Sequence, residues 1–154
     1  MSGNSLGLSI LKLKSAVESS GEGRVAEIDS AISEVVSFKD PESIIPLLCL
    51  LRDGTLYDPS MYSLIHAAEM FEGGVYISKF LLGISILRND CPAWASVLLM
   101  RIINSSPGRE ELTRQLRNSS FYTKKSVLWL IEEINKEDPS FIAKTMAPLL
   151  AAKS

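Results

Sequence analysis

Apolar residues in this chain return every three or four positions rather than every two, so the pattern predicts helices and gives no persuasive strand. Leu6, Ile10, Leu13 and Val17 outline a first helix, which Gly21-Glu22-Gly23 stops. Val25, Ile28, Ile32, Val35 and Val36 outline a second, from Arg24 to Phe38, whose remaining positions carry Glu27, Asp29 and Glu34. Asp40-Pro41, Asp58-Pro59 and Asp138-Pro139 each read as a helix start, because Asp can cap and Pro lacks only an amide hydrogen that would be unpaired in a first turn. From Asp40 the pattern predicts a helix to Leu51, kinked at Pro46 and ended by Asp53-Gly54; from Asp58, one to Phe71, stopped by Gly73-Gly74.

Phe80, Leu81, Ile84 and Leu87 place the next helix over 75–87, and Pro92 begins another that runs to Ser105. That segment is apolar almost all round, with Trp94, Val97, Arg101 and Asn104 as a narrow remaining stripe, so it should lie at the centre of the fold. A short helix follows to Arg117, then one over 123–136 with Val127, Leu128, Leu130, Ile131 and Ile134 on one face and Trp129 off it. A last helix runs from Pro139 to Lys153, with Pro148 placed to kink or fray it. The expected fold is all-α, about nine helices. Pro59 and Pro92 lie 33 residues apart and Pro107 and Pro139 lie 32 apart, near the length of a paired-helix repeat, so the architecture expected is a degenerate HEAT-like stack of helical hairpins.

Composition narrows this only in part. At 154 residues the chain is expected to be one domain, 1–154, large enough to fold without staples. Its apolar runs are all shorter than the roughly 18 residues a membrane span needs, and Lys12 and Lys14 interrupt what would have to be a signal core, so the expected location is cytoplasmic. Cys49 and Cys91 have neither the CxxC nor the Cys/His spacing of zinc or redox sites and read as core thiols. Charge changes the picture more. Residues 1–77 hold 11 acidic and 5 basic side chains, net −6, and residues 78–154 hold 7 and 11, net +4.

Chemistry would have to begin at Met61–Phe71, which carries the single histidine. His66 and Glu69 sit at i and i+3 on the helix face opposite Met61, Leu64, Ile65, Ala67, Ala68 and Phe71. Helical metal sites of this kind recruit Glu-x-x-His motifs from two helices and further carboxylates, and the chain has no second histidine. No serine or cysteine is spaced as a nucleophile for His66, and Gly73-Gly74 lacks the Lys and Ser/Thr of a phosphate cradle. Arg109, Arg114, Arg117, Lys124 and Lys125 alternate with Glu110 and Glu111 in a chain of pI about 5.5, which suits a solvated face better than a nucleic-acid site. The expectation is therefore no enzyme, no cofactor or metal, and no nucleic-acid, membrane or small-molecule ligand. Arg101 needs a partner on so apolar a helix, so Tyr62, His66 and Glu69 are expected to form a structural polar network with Trp94, Arg101 and Asn104, with Glu69 paired to Arg101.

Taken together, Met61-x-Ser-Leu-Ile-His-x-x-Glu-x-Phe71, Pro92-x-Trp-Ala95 and Arg101-Ile-x-Asn-Ser105 resemble the immunity protein 30 family of bacterial polymorphic toxin systems, over about Asp29 to Phe141. The resemblance implies a small cytoplasmic, non-catalytic protein. Such a protein binds and blocks the C-terminal toxin domain of a contact-dependent inhibition or related system as a heterodimer, and that toxin domain is often a nuclease. It supplies no contact residues, because immunity proteins vary most where they touch their partners. For a basic nuclease cleft the candidates are the acids of the first half: Glu27, Asp29, Glu34, Asp40, Glu42, Asp53 and Asp58. The alternative is a generic helical-repeat scaffold that binds another protein without any tie to a toxin.

Overall fold

The computed structural model describes residues 2–55 and 57–154. Among them are nine α-helices, two short 3-10 turns and no strand. The chain divides into two compact units, 1–72 and 73–154. The charge asymmetry follows the same division, since no acidic or basic residue of the charge count lies between Glu72 and Lys79: the first unit is the acidic one and the second the basic one.

In the first unit α1 (Ser2–Glu18) and α2 (Arg24–Ser37) form an antiparallel hairpin, and α4 (Pro59–Glu69) packs on α2 and on the short α3 (Ile44–Leu48). Leu13, Ile28, Val35, Ile44, Leu48, Leu64 and Ile65 are fully buried between them. Each contributes about 1.5–3 kcal/mol by leaving water. The turns are built where the backbone must turn left: Gly21 and Gly54 have φ of 109° and 87°, and Lys39 closes α2 at φ 51°.

The second unit comprises α5 (Gly73–Asp90), α6 (Pro92–Ile103), α7 (Ser106–Arg117), α8 (Phe121–Glu137) and α9 (Ile142–Lys153). Here α6 packs against α5, α7 and α8, as its apolar circumference requires, with Trp94, Ala95, Leu98, Leu99 and Ile103 fully buried. Trp94 thus lies in the core of this unit. Beside it α8 runs parallel to α5, with Thr123 at Leu81, Ser126 at Ser85 and Trp129 at Arg88. Asn135 and Thr145 tie α8 to α9 at 2.9 Å, and α9 continues past a buried Pro148 to Lys153.

All three Asp-Pro starts cap as expected: the side chains of Asp40, Asp58 and Asp138 accept from the amides of Glu42, Ser60 and Ser140. Two details depart from expectation. After Asp40 and Asp138 the first turn is a 3-10 turn, Pro41–Ser43 and Pro139–Phe141, so α3 starts only at Ile44 and ends at Leu48. Pro46 then falls in the first α-turn, where its missing amide hydrogen has no acceptor to lose, and no long helix exists for it to kink. Gly73 and Gly74 do not stand in a gap; α4 ends at Glu69, and the two glycines are the first residues of α5.

Candidate partner-binding surfaces

The acidic face begins with the heptad-like layout of α2. Ile28, Ala31, Ile32 and Val35 turn inward, which leaves Ala26, Ser30, Ser33 and Ser37 as an exposed strip of small side chains. On one side of that strip stand Glu27 and Glu34, about 10 Å apart along the axis, and on the other stands Asp29. All three are exposed. The side with Glu27 and Glu34 borders a groove of about 540 Å³ between α1 and α2, whose α1 wall is Lys12, Ser15, Ala16 and Ser19. Lys12 reaches across to Glu34 at 3.2 Å in a well-exposed pair, 68% and 44% accessible. A pair so wetted contributes at most about 1 kcal/mol and exchanges readily for another cation.

The other candidate acids are engaged differently. Asp40 caps the 3-10 turn, while Glu42 and Asp53 are exposed, Glu42 on that turn and Asp53 in the loop after α3. Asp58 is only 21% accessible; besides capping Ser60 it receives Arg24 Nη1 at 3.2 Å. Arg24 also donates from Nε and Nη2 to the carbonyl of Val17 near the end of α1, at 3.3 and 3.0 Å. One guanidinium therefore joins α1, α2 and the start of α4. The sequence carries a signal for this role: a cation at the first residue of a helix opposes the dipole there, and it is stable only with a partner from elsewhere.

On α4 the apolar set Met61, Leu64, Ile65, Ala67 and Ala68 is buried, Tyr62 and Glu69 are half-buried, and His66 is exposed. An exposed imidazole is no part of a buried network, so the expectation for His66 is corrected by its position. In the second unit Trp94 is buried, Arg101 is half-buried, and Asn104 is exposed and accepts from Lys144 Nζ at 2.9 Å. Arg109 is no free patch cation either: it donates to the carbonyl of Ile103 at 2.9 Å and to Ser106 Oγ. Arg114 binds Glu111, and Gln115 joins Glu111 to the Gly74 carbonyl at the start of α5. Those hydrogen bonds, Arg114's first and Gln115's second, hold the Glu111 carboxyl at about 2 instead of 4.5.

No described helix is long and apolar enough to cross a membrane. Residues 19–112, more than half of the chain, match the immunity protein 30 family, and the chain belongs to it. The match starts earlier than the resemblance suggests and stops at Leu112, so α8 and α9 lie outside it. No curated protein and no solved structure matches the chain.

Proposed function

We propose that this immunity-family chain binds the C-terminal toxin domain of a polymorphic or contact-dependent toxin in the cytoplasm, as a heterodimer, and blocks a basic, nuclease-type cleft with the acidic face of α2. The observation that carries this reading is the layout of α2: exposed Glu27, Glu34 and Asp29 rim a strip of alanine and serine, in a unit of net charge −6. Small side chains let a partner's surface come close, and the rim carboxylates then accept from arginines and lysines that otherwise hold phosphates. Lys12 gives way because its pair with Glu34 is solvent-screened. A field of this size also steers a cationic partner before contact.

The test is the association rate with the toxin domain encoded next to this gene. Reversing charge at Glu27 and Asp29 together should slow association about tenfold at low salt, flatten its salt dependence and leave dissociation nearly unchanged. An association rate equal to that of the wild type removes the acidic face from the interface.

A further inference from the structure

The second unit carries a groove of opposite chemistry, between the parallel helices α5 and α8. Its volume is about 490 Å³, and among its lining residues Ser85 Oγ and Ser126 Oγ lie 3.2 Å apart across the two helices. Two cations and two aromatic rings line it, Arg88, Lys125, Tyr122 and Trp129, and no carboxylate does. The Arg88 guanidinium is stacked 4.7 Å from the Trp129 ring centroid, and Lys125 Nζ lies 5.9 Å from that of Phe121. Among the described residues neither cation has an ion pair. Rings, not counter-ions, hold both in place, so their charge and hydrogen-bond donors stay directed outward.

The rim is apolar and exposed. Phe121 and Tyr122 are 69% and 75% accessible at the start of α8, and Leu82 and Ile86 are 68% and 51% accessible one turn apart on the outer ridge of α5. Trp129 is 36% accessible despite its stack with Arg88. Large apolar side chains exposed beside a groove mark an interaction surface, and Trp, Tyr and Arg are the residues on which interface energy concentrates. A helical groove with an apolar ridge on each side receives an amphipathic segment that presents anchors at i, i+3 and i+4.

We infer that the α5–α8 groove is a second contact with the toxin domain, taken by a segment of the toxin that offers a carboxylate to Arg88 and Lys125 between apolar side chains that pack on Trp129, Tyr122 and Ile86. The inference rests on the proposed function and adds a site of opposite charge. Charge complementarity selects a carboxylate-bearing occupant, because two unneutralised cations face the groove and no acid lines it. A protein segment fits better than a nucleic acid because the rings all lie on α8, while the facing ridge on α5, Leu82 and Ile86, is aliphatic and suits apolar side chains and not bases. The anchors on α8 lie beyond the residues that match the family, so this contact belongs to the individual chain and is suited to telling one toxin from another.

The two contacts differ in kinetics. Long-range charge on α2 governs encounter, whereas a desolvated anchor in a groove governs release. Dissociation of the full-length chain from a catalytically inactive form of the neighbouring toxin domain is measured by surface plasmon resonance, for the wild type, Arg88→Glu, Trp129→Ala and Tyr122→Ala. Tyr122 is exposed enough that its truncation leaves the fold intact. Each variant should dissociate at least tenfold faster with little change in association, and Arg88→Lys should recover part of the loss. Dissociation like the wild type in all three overturns the inference and leaves the acidic contact standing. A fluorescent single-stranded oligonucleotide bound by the wild type and released by Arg88→Glu reassigns the groove to nucleic acid and overturns it as well. Self-association lost in Arg88→Glu, with toxin kinetics unchanged, makes the groove a contact between copies and has the same consequence. A wild-type chain that does not bind the toxin domain removes the proposed function itself.

Discussion

Arg24 shows how much a single side chain can hold. It bonds the Val17 carbonyl and pairs with Asp58 while both groups are about one-fifth accessible, so Arg24→Ala should lower stability by about 1–2 kcal/mol in urea denaturation, less than for a dry pair because solvent still screens it. A double-mutant cycle with Asp58→Ala should show coupling of about 0.5–1 kcal/mol; strict additivity would mean the two do not interact. Glu111 gives a pH signature. Its folded-state pKa of about 2 lies below the ordinary 4.5, so the stability it contributes is fully present above pH 4.5 and disappears as pH falls toward 2. Carboxyl NMR should place its midpoint near 2, and Arg114→Ala should return it toward 4.5. His66 needs the opposite expectation from the one its motif invites. It is exposed, so His66→Ala should change stability by no more than about 0.5 kcal/mol. A larger loss in thermal unfolding would mean that the imidazole is held as the sequence pattern suggests. Arg24 and His66 also mark how far residues can be read from the sequence: periodicity gave the direction in which His66 points, but whether a face is wet depends on packing that no local pattern encodes.

At the scale of elements, the join of α6 to α7 is tight enough to make a counterintuitive prediction. Gly108 sits in the first turn of α7, where Ser105 Oγ accepts from its amide, and a Cβ there would lie 2.6 Å from the Ile102 carbonyl oxygen. Alanine improves helix propensity by about 1 kcal/mol in the open. Here the backbone must shift, so Gly108→Ala should destabilise by about 1–3 kcal/mol, seen as a lower Tm; a raised Tm would show that the turn yields freely. The helices themselves were legible because burial repeats at the helical period, and Asp-Pro starts located three of them. The two departures share a cause: a short stretch of Pro or Gly next to a helix end does not say on which side of the end it falls. Pro46 reads as a kink only if α3 begins at Pro41, and a 3-10 turn intervenes. Gly73-Gly74 reads as a stop, yet the chain re-enters a helix on those residues.

The whole molecule is two compact units of opposite charge, and this division was written in the sequence as an acidic stretch ending at Glu72 and a basic one starting at Lys79. Family membership was equally legible, because the Met61–Phe71 helix, the Trp94-Ala95 pair and Arg101 to Ser105 all lie inside the matched region. The binding surfaces were legible only in part. Acidic residues could be counted, but the sequence could not separate Glu27, Asp29 and Glu34, which face solvent, from Asp58, which is committed to Arg24. Nor could it pair α5 with α8, since the groove between them joins residues about 41 positions apart. The proposed neutralisation of a toxin is tested most directly by growth. The neighbouring toxin domain is expressed in a sensitive strain with or without this protein. The wild-type chain should restore growth, and a chain carrying Glu27→Lys, Asp29→Lys and Trp129→Ala together should restore it poorly. Unrelieved toxicity in the presence of the folded wild-type chain would contradict the proposed function.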